Sequence, residues 1–161
     1  MDGEALSAAL EREHREIDEG IESFTAALAE GRGDGVPLKR ALEGLRRHIY
    51  LEEEFLFPPL QEAGLMAPVF VMLREHGELW RTMDRLEAAT ARGPANPHPE
   101  GEVRELCTEL LGLLDRHNSK EEPILYPQAD AVLEPGAIDH LRRFLASGRL
   151  PEGWACRQAH I

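Results

Sequence analysis

No stretch of this chain stays apolar for anything near the roughly 20 residues that a bilayer-crossing helix needs. Its first ten residues, MDGEALSAAL, have no basic start and no long apolar core, so no signal peptide is read. Cysteine is scarce. The two present, Cys107 and Cys156, lie far apart and form no C-x-x-C pair, so a cytoplasmic chain with two free thiols is the expectation. Positive charge is in deficit, with 18 Lys and Arg against 30 Asp and Glu, a formal net charge of −12. Phosphate would be repelled, which argues against nucleic acid and anionic membranes as partners. Strand signals are absent. What remains is a 161-residue chain, 42% hydrophobic and 30% charged, the make-up of one soluble globular domain.

Breakers divide the chain at GRGDGVP (31–37), QEAGLMAP (61–68) and RGPANPHP (92–99). Between them apolar residues recur at three and four, the helical period. The first stripe reads Leu6, Leu10, His14, Ile17, Ile21, Phe24, Leu28. The second reads Leu38, Ala41, Leu45, His48, Glu52, Phe55. The third is Val69, Met72, His76, Leu79, Met83, Leu86, and the fourth Val103, Leu106, Leu110, Leu113, His117, Glu121, Ile124. Short connections between long helices favour antiparallel neighbours. The expected fold is therefore all-α: an antiparallel up-down-up-down four-helix bundle over residues 1–131. An extension over 132–161 carries a short fifth helix at PGAIDHLRRFL, packed across a bundle end. Pro123 is expected to kink or end the fourth helix just past Glu121. Gly64 is a stop for the second.

Each inner stripe carries a histidine, and two carry a glutamate one turn later. One histidine on an apolar face is ordinarily a hydrogen-bonded core residue. Four histidines and two glutamates at one level are a different matter. Residues at equal height in an antiparallel hairpin are symmetric about its loop. The midpoint of His14 and His48 is residue 31, that of Glu52 and His76 is residue 64, and that of His76 and His117 lies between 96 and 97. All three fall in breakers. His14, His48, Glu52, His76, His117 and Glu121 are thus expected to meet inside the bundle, and no Lys or Arg on the inner stripes offsets their charge. A buried carboxylate without a partner costs several kcal/mol. A cation answers the deficit. His and Glu at i and i+4 face one side and chelate together. The surplus of ligands over one tetrahedral ion suits two five- or six-coordinate ions bridged by Glu52 and Glu121, iron first, then manganese, then zinc. A ferritin-type dimetal site wants Glu-x-x-His on two helices, and only Glu11 with His14 offers that spacing.

The two His-Glu frames align without a gap, HIYLEEEFLFP at 48–58 on HNSKEEPILYP at 117–127. With His14 in EREHREID and His76 in LREHGELW, they make the sequence resemble the hemerythrin-like, or HHE cation-binding, family over residues 5 to 130. The resemblance implies a four-helix bundle holding two non-haem iron ions joined by an oxo or hydroxo bridge and by carboxylates. Carried over, the metal ligands are His14, His48, Glu52, His76, His117 and Glu121. One position departs from the pattern. Oxygen-carrying members have two histidines four apart on the third helix, whereas here Trp80 follows His76 at that spacing. Water, Asp18, Glu53 or Glu122 is expected to replace the imidazole, Asp18 being best placed. Glu53 and Glu122 otherwise read as surface acids or as acids just outside the ligands. Trp80 is expected to fill the vacated volume.

Three functions follow as expectations. The first is a binding module that takes dioxygen or another small ligand, or that senses iron or redox state. The second is an enzyme or repair factor acting on peroxide, nitric oxide or iron–sulfur clusters. Repair-type relatives carry a further N-terminal segment with cysteines, and this sequence begins at the bundle. The third is a metal-free helical interaction domain, which would have to bury six polar side chains with no counter-charge. His98, His140 and His160 read as ordinary loop, tail and terminal residues.

Overall fold

The computed structural model describes residues 4–31, 35–92 and 99–161, and these contain helices and no strand. The expectation for His98 lies outside the described residues. Four long segments dominate: α1 (Leu6–Ala29), α2 (Val36–Leu51), α4 (Met66–Arg92) and α5 (Pro99–Ile124). α2 runs on through a single π-helical turn, Glu52–Leu56, into α3 (Phe57–Glu62). Two short helices follow α5: α6 (Tyr126–Val132) and α7 (Pro135–Ser147). α1, α4 and α5 cover their expected stripes, whereas the second stripe outruns α2 and places Glu52 and Phe55 in the π turn.

The π turn has a cause in the sequence. Pro58 and Pro59 have no N–H to give to the carbonyls of Glu54 and Phe55. The Phe57 N–H instead reaches back five residues to the Glu52 carbonyl. The buried stripe jumps with it, from Leu51 to Leu56 and from Glu52 to Phe57. Such a turn inserts one extra residue into a helix and recurs at functional sites. At the far end of α3, Gly64 takes a positive φ of 101°, and the Leu65 N–H closes on the Leu60 carbonyl. Pro123 sits in the last turn of α5, which stops one residue later.

α1 packs on α2 and α5, and α4 packs on α5 and α2. Along the first pair Glu13 meets His48, and a Cβ on Gly20 would touch Ala41 at 3.0 Å. Along α4 and α5, Glu75 meets His117 and Arg85 meets Glu109. The apolar interior is split in two. One cluster holds Ile17, Ile21, Phe24, Leu45, Met83 and Leu110 among others. The other holds Leu6, Leu10, Leu56, Phe57, Met72 and Tyr126. The layer between them is polar.

The tail belongs to the structure. α7 buries Leu141 in the second cluster, with Ile138, Phe144 and Leu145 partly buried beside it. Arg47 donates to the carbonyls of Phe144, Leu145 and Gly148, closing the C-terminus of α7. Residues beyond α7 lie against the first cluster, burying Cys156 and Ala159. Their approach is close: a Cβ on Gly77 would come within 2.6 Å of the Gln158 carbonyl oxygen. Trp154 meets Trp80 edge-on at 5.5 Å and Tyr50 at 5.1 Å. Replacing Trp154 with Ala should therefore destabilise the whole fold by about 2 kcal/mol, less than a fully buried Trp would cost. Urea denaturation of the variant against wild type measures it, and an unchanged midpoint would show that the tail only rests on the bundle.

Candidate metal centre

The six expected residues meet in the polar layer. His14 and His117 are 3% exposed, His48 is 2%, and Glu52, His76 and Glu121 are fully buried. They form two groups that share both carboxylates: His14, His48, Glu52 and Glu121 on one side, and Glu52, His76, His117 and Glu121 on the other. In each group the potential ligand atoms lie within 4.8 Å of one another. Glu52 spans the two. Its Oε2 lies 3.1 Å from His48 Nε2, and its Oε1 lies 3.0 Å from His76 Nε2. Glu121 Oε1 is 3.3 Å from both His14 Nε2 and His117 Nε2. The other oxygen, Glu121 Oε2, is buried and has no hydrogen-bond partner. A buried carboxylate oxygen facing nothing is a strong acceptor left open, and a cation fits it.

What aims the four imidazoles inward is an outer set of carboxylates. Glu13 accepts from His48 Nδ1 at 2.7 Å, and Glu122 from His14 Nδ1 at 2.7 Å. Glu53 accepts from His76 Nδ1 at 2.8 Å, and Glu75 from His117 Nδ1 at 2.9 Å. With every Nδ1 so engaged, every Nε2 faces the interior. A carboxylate behind a ligating imidazole fixes its tautomer and raises its basicity. Three of the four acids are held in turn: Glu13 by Arg47 at 2.8 Å, Glu75 by Lys120, and Glu53 by the backbone N–H of Arg157 in the tail at 3.0 Å.

Parts of this set lie outside the inner stripes of the sequence. Glu13 and Glu75 each immediately precede a histidine, in a repeated Arg-Glu-His at 12–14 and 74–76. That repeat was the available signal. Glu53 stands just outside the cage behind His76 and is fully covered, the π turn carrying it inward beside Glu52. Glu122 is part-buried and does stand just outside the cage. Tyr126 closes the second His-Glu frame, and the frame alone gives its hydroxyl no role. It is fully buried, and its hydroxyl lies within 3.0 Å of His14, His48, Glu52 and Glu121. Asp18 is half-buried and belongs to neither converging group among the described residues. Burial, together with Glu22, Glu122 and Asp115, pushes its carboxyl up to about 6. Trp80 packs its ring against Arg46 and Trp154, turning toward the tail.

The carboxylates around the imidazoles favour their protonated forms. Burial works against a charged His117, but Glu121 and Glu75 outweigh it and bring its pKa up to about 10. His14, His48 and His76 are raised in the same way, burial being overcome by their carboxylate partners. Burial would raise Glu121 and Glu52, yet the histidines hold both below the ordinary range, Glu121 well below it.

These features define a helical bundle with a buried imidazole–carboxylate cage suited to cations. The chain belongs to the hemerythrin HHE cation-binding domain family, which matches residues 5–129. It is also similar to the iron-sulfur cluster repair protein YtfE of Yersinia pestis (strain Pestoides F) and of Yersinia pseudotuberculosis serotype O:1b (strain IP 31758). Each is 32% identical over 111 residues, covering 61% of this chain and 47% of the relative. The chain thus spans about half the length of these curated relatives. No solved structure gives a significant match. No helix among the described residues is long and apolar enough to cross a membrane.

The pKa shifts fix the stability profile of the metal-free protein. A histidine raised from 6.5 to about 10 stabilises the fold fully below pH 6.5 and loses that contribution as pH rises toward 10. Carboxylates lowered from 4.5 stabilise it above pH 4.5 and lose their contribution as pH falls through the folded value. Metal-free protein should therefore be most stable between these limits, and weaker at pH 9 than at pH 6 by at least about 1 kcal/mol. Urea midpoints taken from pH 4 to pH 10 test this, and a profile flat from 6 to 9 would contradict it.

Proposed function

We propose that the cage holds two iron ions, with His14 and His48 on one, His76 and His117 on the other, and Glu52 and Glu121 shared between them. One observation carries this: the two oxygens of Glu52 divide between His48 and His76, each about 3 Å away, as a bridging carboxylate must. The open Glu121 Oε2 adds a further acceptor. An oxo or hydroxo bridge is in keeping with the family. We read the helices as an antiparallel up-down-up-down bundle over residues 1–131, because cross-helix contacts run in opposite order along α1–α2 and α4–α5. Residues 132–161 are the extension that braces it. The two free, buried cysteines agree with a reducing compartment.

On this reading the protein is a non-haem di-iron binding module that takes dioxygen or another small ligand, or reports iron or redox state. The iron supplies the redox chemistry. The chain supplies inward-facing imidazoles, bridging carboxylates and two apolar clusters that keep bulk water from the cage on either side. A second reading, iron–sulfur cluster repair, is favoured by the likeness to YtfE, although that likeness covers about half of the relative.

Adding ferrous iron to metal-free protein under nitrogen, followed by air, should give near-ultraviolet absorption from an oxygen-bridged pair and about two ions per chain. Glu52→Ala and Glu121→Ala should each lower that content, because removing a shared carboxylate uncouples both positions. Full loading in both variants would show the ligand assignment to be wrong. Absorption that reverses on degassing selects the binding module, whereas turnover of peroxide or transfer of iron to a damaged cluster selects the second reading.

A further inference from the structure

The phenol of Tyr126 is not needed to complete the six residues above, yet it sits among them. We propose that Tyr126 is itself a metal ligand, the fifth protein donor of the position formed by His14, His48, Glu52 and Glu121; this rests on the reading that the cage holds iron. Its Oη lies 2.6 Å from Glu52 Oε2, 2.9 Å from His14 Nε2, and 3.0 Å from both His48 Nε2 and Glu121 Oε1. A phenol offers one donor and two acceptor sites, so a hydroxyl fixed by hydrogen bonding alone has use for three neighbours, not four.

The spacing among those four atoms shows where Oη stands. His14 Nε2 and His48 Nε2 are 3.0 Å apart, His48 Nε2 and Glu52 Oε2 3.1 Å, and His14 Nε2 and Glu121 Oε1 3.3 Å. Were Oη at the centre of this ring, neighbours in the ring would stand apart by √2 times their distance to it, about 4.1 Å for square coordination. They are closer than that, so Oη caps the ring. Oη thus stands from all four about as far as three successive pairs among them stand from each other, the spacing of an octahedron vertex and its adjacent vertices. An edge of about 3.0 Å puts the centre about 2.1 Å from each vertex, the bond length of imidazole nitrogen and carboxylate oxygen to a first-row divalent ion. Coordination displaces the phenolic proton to solvent, as metal binding does for other acidic ligands, and no electron moves.

The repeat makes the two positions unequal. Phe57 occupies the frame position of Tyr126 in the first motif, has no donor, and stacks on His76 at 5.5 Å with the rings 18° apart. One position therefore has five protein donors and the other, with Glu52, His76, His117 and Glu121, has four. The second is the side with room for an exogenous ligand.

The test loads metal-free protein with iron, oxidises it to the ferric state, counts the iron, and then records the visible spectrum. Ferric iron bound by phenolate absorbs in the visible by charge transfer, which imidazole and carboxylate ligands do not produce. Wild type should show this band, and Raman excitation within it should enhance tyrosine ring vibrations. Tyr126→Phe should keep bound iron but lose the band, with about tenfold weaker binding at that position. Tyr50→Phe, at the other of the two tyrosines, should retain it. Raman spectra of wild type carrying ring-deuterated tyrosine need no variant and decide the matter if Tyr126→Phe does not fold. Full iron loading without a tyrosine-derived band overturns this inference and leaves the iron cage standing. No iron binding at all overturns both.

Discussion

The structure depends on the pairing of each inner histidine with a carboxylate behind it. An imidazole has two nitrogens and can offer only one to the interior. Glu13, Glu53, Glu75 and Glu122 take the Nδ1 side of His48, His76, His117 and His14, which leaves four Nε2 atoms converging on Glu52 and Glu121. Burying so many titratable groups between two apolar clusters is unfavourable unless protons or metal ions balance them. Without a metal ion the carboxylates favour protons on the imidazoles and bring His117 up to about 10. Every ion that enters must displace some of them, so the same interaction that shapes the cage also sets the terms on which it fills.

The cage is made twice from related parts. Arg-Glu-His opens it on α1 and α4, and His-x-x-x-Glu-Glu closes it on α2 and α5. In both halves the glutamate before the histidine reaches to the imidazole of the next long helix, and the second glutamate of the pair reaches to the other half, Glu53 to His76 on α4 and Glu122 to His14 on α1. The halves part where they meet proline. Pro58 and Pro59 let α2 widen into a π turn that brings Glu53 under cover. Pro123 instead ends α5, and the chain re-enters as α6 with Tyr126 at its start. A single frame thus yields an apolar stack under one pair of histidines and a phenol under the other.

The C-terminal extension ties into this layer from outside. Arg47 holds Glu13 and closes α7 in one contact set, and the Arg157 N–H holds Glu53. Gly77, directly after His76, leaves the space that the Gln158 carbonyl needs. The family match stops at residue 129, but the bracing of two of the four outer carboxylates comes from, or is shared with, residues beyond it.

The helices and the six inner residues were legible in the sequence because burial on a helix leaves a period, and hairpin symmetry turns positions into heights. His14, His48, His76 and His117 could be placed at one level from their numbers alone. Which nitrogen each presents could not be read, since that rests on an acid from another helix, Glu13 and Glu75 beside a histidine and Glu53 and Glu122 beside a glutamate. The same holds for the buried state of Glu53, which a straight helix would turn outward, for the direction of Trp80, and for the hydroxyl of Tyr126. Sequence by itself determined the helical bundle and the residues it would enclose, because periodicity is a local property of the chain. Only the tertiary structure decided how those residues face one another, because orientation there is set by hydrogen bonds across helices and by one extra residue in a single turn.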